Sequence, residues 1–452
     1  MAVAAVLQAA SLATTTTWLD AGAFRKEGLI GAQCVHKIVS ARGPCAIRAS
    51  LSKDDVAAPN AFAKVLHNCP TCVAVAAALL VPFSSTAADV DVDTERVSAI
   101  SEPSVLISGP PTKDANALLR DALPLDNKPI KEVQKFLEDI TEEMKVPDEK
   151  VLEPVERDVR QATLVLNQSK EEILSYIAES KRQEGDHILT TLNEELEGFQ
   201  KQLEEKDSSI VLPRQKELLR LIGDLEETMI AKFPYEIPEE YAKRPLLMGR
   251  ATLEMKVLVK NNPNVKDAVL HIVLDGYNAP VTAGNFVDLV ERRFYDGMEI
   301  QRSDGFVLQT GDPDGPAEGF VDPATGQVRT VPLEIMVEGQ KQPIYGTTLE
   351  LQELGLPKAK IKLPFNAFGT MAMARQESDN NSGSSQVFWL LKESELTPNG
   401  DSIHDGRYAV FGYVTENEGL LANLKAGDVI ESIRVLHGLD NLVNPSYVVR
   451  LL

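Results

Sequence analysis

Leu253-Glu-Met-Lys-Val-Leu-Val259, the cluster Asn261-Asn-Pro-Asn264 and the return Val269-Leu-His-Ile-Val-Leu274 mark where this 452-residue chain changes its period. Leu253, Met255, Val257 and Val259 recur every second residue, as in a strand with one buried face. The Asn-Asn-Pro-Asn cluster is turn chemistry, and the return run is rich in β-branched residues. Glycine-punctuated short strands continue to Leu452. They are interrupted by one helical insert, Thr282 to Arg293, whose Phe286, Leu289 and Val290 share a face. Residues 246–452 are therefore expected to form an all-β barrel with a few short helices.

Upstream the period is helical. Ile130, Val133, Leu137, Ile140 and Met144 step by three and four, with Asn127 and Pro129 suited to the start of that helix. Ser169 with Glu172 reads as a capping box ahead of Ile173 and Ile177. Leu189, Leu192, Leu196, Phe199 and Leu203 form a further stripe, and Leu218, Leu221, Leu225 and Met229 another after a break at Pro213. The stripe from Leu189 to Leu203 covers barely two heptads, which favours a bundle core over a dimerising zipper. Residues 89–245 are thus expected to be an acidic helical bundle domain. Its last part, Phe233 to Pro245, is a short connector stiffened by Pro234, Pro238 and Pro245.

The formal charge of −21 is unevenly spread. The first 88 residues hold seven Lys and Arg against four Asp and Glu, so the remainder carries a net −24. Residues 89–245 alone carry −15. Such a chain should be repelled by nucleic acid and by anionic lipid. All four cysteines, Cys34, Cys45, Cys69 and Cys72, also lie in the first 88 residues. This segment is rich in Ala, Ser and Thr and then runs from Lys64 through the apolar Cys72 to Val81 to the small residues Ser84 to Ala88. The first part has the composition of an organelle transit peptide and the second has secretory-signal order. About ten apolar residues are roughly half a membrane span, so cleavage near Ala87 or Ala88 is expected rather than anchoring. No Arg-Arg pair precedes the apolar run, which points to a Sec-like route. This tandem arrangement resembles the bipartite chloroplast transit and thylakoid signal of thylakoid-lumen proteins, and that resemblance implies the thylakoid lumen as the destination of a chain whose residues 1–88 are the signal.

Five ordered blocks in the C-terminal half resemble the cyclophilin family. They are Ala279-Pro-Val-Thr-Ala-Gly-Asn-Phe286, Gln301-Arg-Ser-Asp-Gly-Phe-Val-Leu-Gln-Thr-Gly-Asp312, Gly369-Thr-Met-Ala-Met-Ala374, Ser382-Gly-Ser-Ser-Gln-Val-Phe388 and Asp405-Gly-Arg-Tyr-Ala-Val-Phe-Gly-Tyr-Val414. The second block is one residue shorter before its phenylalanine than the family pattern. The resemblance implies an α + β multidomain protein, an N-terminal helical bundle followed by a cyclophilin-like closed antiparallel β-barrel with short helices. With its lumenal address and acidic helices, the whole chain is similar to the multidomain thylakoid-lumen cyclophilins of plants. Members of that group are associated with photosystem II assembly and repair and with regulation of a thylakoid protein phosphatase. Those roles, and proline-containing lumenal segments as partners, are what the resemblance implies.

Prolyl isomerisation needs no nucleophile, metal or cofactor. The X-Pro amide has a barrier of about 18–20 kcal/mol, and a fixed guanidinium can hydrogen-bond the prolyl nitrogen as it pyramidalises while an apolar cup holds the ring. By the resemblance, Arg302 is that guanidinium, and Phe306 and Gln309 complete the catalytic set. Val307, Ala372, Met373, Gln386, Phe388, Ile403, His404 and Tyr408 line the substrate site. Four positions depart from the family pattern: Ile403-His404 stands for a Trp-Leu pair, Tyr408 for a His, Val307 for a Met and Met373 for an Asn. These changes remove apolar and hydrogen-bond contacts, so turnover is expected to be slow and arginine-dependent. The six His residues show no ligand spacing, and no metal is expected. Lys358, Lys360 and Lys362 form a basic strip that suits either a solvated face or an acidic segment. The acidic helical domain is expected to dock on the barrel near that strip and Arg302, helped by Phe233, Tyr235 and Tyr241. Three functions fit: an isomerase, a non-catalytic peptide-binding assembly factor, and a regulatory subunit.

Overall fold

The computed structural model describes residues 112–145, 152–260, 262, 265–349, 360–392 and 402–445. The leader, its cysteines and cleavage region, and Lys358 lie outside the described residues. Seven α-helices run in chain order among those residues: α1 Ala115–Ala122, α2 Lys128–Glu143, α3 Leu152–Gln168, α4 Lys170–Tyr176, α5 Arg182–Leu203, α6 Val211–Thr228 and α7 Pro280–Glu291. The strands are β1 Leu246–Leu247, β2 Arg250–Leu258, β3 Asp267–Asp275, β4 Arg302–Ser303, β5 Val307–Thr310, β6 Val321–Asp322, β7 Gln327–Val328, β8 Glu334–Ile335, β9 Ile344–Tyr345, β10 Thr370–Met373, β11 Val387–Leu390, β12 Val410–Glu416, β13 Val429–His437 and β14 Leu442–Val443.

Helices α2, α3, α5 and α6 bury the stripes read from the sequence. Ile130, Val133, Leu137 and Ile140 join Val155, Val159, Leu166, Leu192, Leu196, Phe199, Ile222 and Leu225 in one apolar cluster. Asn127 starts α2 as expected: its Oδ1 accepts from the Ile130 amide at 3.0 Å, with Pro129 in the first turn. Pro213 lies in the first turn of α6, where its missing N–H is not needed. The capping box at Ser169 does not form. Ser169 follows directly on α3 and its amide still bonds back to the Val165 carbonyl at 2.9 Å. Its backbone (φ −103°, ψ 13°) is not the extended one from which a cap hydroxyl reaches the next turn, and it makes no side-chain cap bond.

The main sheet has eight antiparallel strands in the order β13-β2-β3-β12-β10-β11-β5-β4. It curls into a half-barrel, which corrects the expectation of a closed one. The edge strands β13 and β4 share no ladder. Residues 297–300, just before β4, reach β13 through the isolated Glu299–Val429 bridge and short bonds such as Ile300 N–H to Asp428 O and Ile430 N–H to Met298 O, each 2.8 Å. Because β4 has two residues, it cannot carry the pairing a full closure needs.

Helix α7 begins two residues before the expected Thr282 and is buried along nearly its whole length. Its N-cap, Ala279, has no side-chain acceptor. The orphan amides are satisfied from β8 instead: Glu334 accepts from Val281 N at 3.2 Å, Thr282 N at 2.8 Å and Thr282 Oγ1 at 2.8 Å. Glu334 is fully buried, and burial pushes its carboxyl up to about 7, with the Thr282 and Val281 donors pulling in the other direction.

Helix α1 belongs to the sheet's core and not to the helical cluster. Ala115, Leu118, Leu119 and Ala122 belong to the same apolar cluster as Leu253, Ile272 and Phe286, and Asn116 Nδ2 donates to the Thr415 carbonyl of β12 at 3.5 Å. Arg250 ties this junction together. Its guanidinium bonds Asp275 at 2.8 Å, Glu227 of α6 at 3.2 Å and the Leu119 carbonyl. Asn278 donates to the Ala122 carbonyl at 3.0 Å, and Lys362 to that of Asp121 at 3.4 Å. The connector's aromatics also lie on the sheet domain: Phe233 and Tyr235 pack at Tyr277, and Tyr241 meets the Tyr345 ring at 4.9 Å. These contacts gather at β2, β3, β9 and the α7 end of the domain.

Candidate functional site

The register of the curled sheet assembles the site. Arg302 pairs with Gln309, Gln309 with Phe388, Phe388 with Ala372, and Ala372 with Val410. Directly opposed residues on antiparallel strands present their side chains to the same face. Arg302, Gln309, Phe388 and Ala372 therefore form one row across β4, β5, β11 and β10. Gln309 and Phe388, 79 residues apart in the chain, become lateral neighbours, and the spacing Arg302 to Gln309 is what a tight hairpin needs to place the two abreast.

The hairpin turns through Gly305-Phe306, flanked by Asp304 and Val307, with Gly305 at φ +83°, a conformation that glycine adopts without a Cβ penalty. A second glycine, Gly311, sits at φ +104°, and a Cβ there would stand 2.1 Å from the Ser385 carbonyl oxygen. That close approach sets β5 against the segment leading into β11, and Ser385 Oγ donates to the Gly311 carbonyl at 2.7 Å. Gln309 and Gln386 are fixed as a result. Gln309 Nε2 donates to Gln386 Oε1 at 2.9 Å, while Gln386 Nε2 donates to Asp312 Oδ1 at 3.1 Å and the Glu318 carbonyl at 3.0 Å.

Phe388 forms the centre of an aromatic cup. Its ring stacks on Phe365 with centroids 6.1 Å apart and meets Tyr408 edge-on at 5.4 Å. His404 packs on both Phe365 and Tyr408, at 5.7 and 6.1 Å. Burial and then the nearby Arg407 lower the His404 pKa, so its imidazole is neutral near pH 7 and behaves as an apolar wall. Arg375 lies over the Tyr408 ring at 5.2 Å, within cation–π range. Ile403, 63% exposed, and Phe306, 60% exposed, present large apolar surface to solvent at the site's residues. Val307 is half-buried on β5 opposite Leu390. Met373 is buried, its Cγ close against Gly383, and Ala372 is wholly buried on the central strand.

Arg302 is 59% exposed, and its guanidinium is engaged by Asp304, with Nε to Oδ2 at 2.8 Å and Nη2 to Oδ2 at 2.5 Å. Partial burial opposes the charge on Asp304. The amides of Val307 and Phe306 and the guanidinium outweigh it and hold the carboxyl below its usual range. Sequence reasoning missed three residues. Asp304 was signalled by the Asp-Gly turn two residues after Arg302. Phe365 and Arg375 carried no local signal, because only the fold brings them under and beside Phe388 and Tyr408.

The family description "Cyclophilin type peptidyl-prolyl cis-trans isomerase/CLD" matches residues 262–440, and "Peptidyl-prolyl cis-trans isomerase CYP38-like, PsbQ-like domain" matches residues 114–230. Along 382 residues the chain is 60% identical to the Arabidopsis thaliana protein "Peptidyl-prolyl cis-trans isomerase CYP38, chloroplastic", covering 84% of this chain and 87% of the relative. The chain belongs to the cyclophilin-type peptidyl-prolyl isomerase family. This cyclophilin is also 44% identical over 340 residues to a Synechocystis protein whose name assigns it to the thylakoid-lumen peptidyl-prolyl cis-trans isomerases, covering 75% of this chain and 86% of the relative. A third relative, "Peptidyl-prolyl cis-trans isomerase CYP37, chloroplastic" of Arabidopsis thaliana, is 31% identical over 363 residues, with 76% and 75% covered. Among the described residues of this cyclophilin no helix is long and apolar enough to cross a membrane.

Proposed function

We propose that this cyclophilin works in the thylakoid lumen, where it binds proline-containing segments of client proteins and isomerises X-Pro bonds slowly, aiding the folding, assembly and repair of photosystem II. The observation that carries the reading is the row of Arg302, Gln309 and Phe388 across three strands, with Phe365 and Tyr408 behind it. A proline ring seated against Phe388 would bring its nitrogen toward the guanidinium, which can favour the pyramidal nitrogen of the twisted amide. Arg302 is the catalytic donor in this reading, Phe306 and Phe388 supply apolar contact, and Gln309 and Gln386 hold flanking backbone. Val307, His404, Tyr408 and Ile403 form the remaining walls in this reading, with Ala372 in the row beside Phe388 and Met373 next to it on β10. The lumenal setting is supported by the bipartite leader and by the names of the relatives. The acidic composition argues against nucleic-acid partners.

A second reading, a peptide-binding assembly factor or a regulatory subunit of a thylakoid phosphatase without efficient turnover, is favoured by Ile403, which offers no hydrogen-bond donor at the rim. The two separate in an isomerisation assay on the chain from residue 89, using an Ala-Pro tetrapeptide. The isomerase reading expects slow turnover that falls at least about tenfold in Arg302→Ala. Peptide-induced amide shifts at Phe388 and Tyr408 with no turnover in either protein would favour the binding reading and refute the catalytic one.

A further inference from the structure

We infer that Asp304 is a built-in competitor for Arg302, a specificity-determining residue whose carboxylate holds the guanidinium that the prolyl nitrogen needs; the inference rests on the catalytic reading of Arg302 given above. Three observations support it. The first is the identity of the contacts: both Nε and Nη2 of Arg302 point at one oxygen, Asp304 Oδ2. A peptide that is to use either N–H must displace the carboxylate or share it.

The second is that the carboxylate is anchored by backbone. Its other oxygen, Oδ1, accepts from Phe306 N at 2.9 Å and Val307 N at 3.0 Å, an Asx-type closure of the hairpin turn. Exposed ion pairs are ordinarily weak because two long side chains must be immobilised together. Here the acidic partner is a short side chain already immobilised by two amides, so the ordering cost falls on the arginine alone. The third is the local geometry. The Asp304 amide bonds the Val307 carbonyl at 3.3 Å, and Arg302 is locked in register with Gln309, so residues 302 and 304 are fixed two apart at the mouth of one hairpin.

The chemical consequence falls on the transition state. In the planar amide the prolyl nitrogen has little basicity and asks little of the guanidinium. As the amide twists, its lone pair localises and the demand for the N–H grows. A carboxylate that holds the donor and offsets its positive charge opposes that growth, so it should depress kcat more than it raises KM. It also places negative charge beside the bound proline, which disfavours an acidic residue flanking the proline in the client and favours a basic one.

Asp304→Asn is the informative variant, because an asparagine Oδ1 can still accept from Phe306 and Val307 and keep the turn. The expected result, with Ala-Pro tetrapeptides, is a kcat about fivefold higher than that of the parent chain with KM little changed, and a reduced discrimination against a Glu-Pro peptide. In the Arg302→Ala background the same change should do nothing. Asp304→Ser, whose hydroxyl can also close the turn, serves as a second variant, and an amide correlation spectrum verifies the fold of each. Equal kcat in the parent and both Asp304 variants, with peptide shifts at Phe388 present in all, would overturn the competitor role and leave the peptide site standing. So would an increase that persists without Arg302. If neither parent nor variant binds or turns over any proline peptide, the catalytic reading fails and the role of Asp304 fails with it.

Discussion

Glu334 offers the sharpest test of the fold, because two opposing effects act on one buried carboxyl. Burial favours the neutral acid, whereas three donors at the start of α7 favour the carboxylate. With burial prevailing, the group is displaced from 4.5 to about 7. For an acid raised in the folded state, the folded protein binds more protons than the unfolded chain between those values, so stability falls as pH rises. Stability from this group is complete below about pH 4.5 and is lost as pH passes through about 7. The displacement is worth about 3 kcal/mol, several tenths of the margin of an ordinary domain. Glu334→Gln, which cannot ionise, should remove that slope. The assay is urea unfolding of both proteins at half-unit steps from pH 4.5 to 8, comparing free energies at each pH. The advantage of the parent chain over Glu334→Gln should shrink by about 3 kcal/mol across the range. A constant difference would show that the carboxyl is not displaced. An advantage that grows with pH would show that the helix amides outweigh burial, and would refute the reasoning.

Two further outcomes follow from the same packing. Arg250→Met removes the partner of Asp275, which is wholly buried, and should cost about 3–5 kcal/mol in urea unfolding, part of it recovered by adding Asp275→Asn; a loss below about 1 kcal/mol would mean that the junction is held by α1's apolar contacts. Gly311→Ala should be destabilising by more than about 1 kcal/mol, since it combines a left-handed backbone with a Cβ 2.1 Å from the Ser385 oxygen. Its disturbance should appear first in the amide signals of Gln309 and Gln386, and an unperturbed spectrum would contradict the close approach.

By itself the sequence determined what local periodicity and spacing can encode. The steps of three and four from Ile130 to Ile140 and from Leu189 to Leu203 became the buried faces of α2 and α5, and the alternation from Leu253 to Val257 became the inward face of β2. Each signal lies within one element, where backbone geometry sets which residues share a face. The ordered blocks around Arg302, Gln309 and Phe388 pointed to the fold through their resemblance to the cyclophilin family. Tertiary structure decided the rest. Whether eight strands close or stop at a half-barrel depends on how β13 meets the segment before β4, a contact between residues more than 120 apart. The cap on α7 comes from Glu334, 52 residues beyond Thr282, because Ala279 cannot supply one. Short α1 carries too little periodic signal to announce its partner, and it joins the sheet's apolar cluster because β12 meets it there and Arg250 holds its Leu119 carbonyl. Asp304 was visible as a turn residue, but its grip on Arg302 required the folded hairpin, whose Phe306 and Val307 amides hold the carboxylate beside the guanidinium. Propensity acts over a few residues, while these pairings depend on which complementary surfaces meet when the core closes.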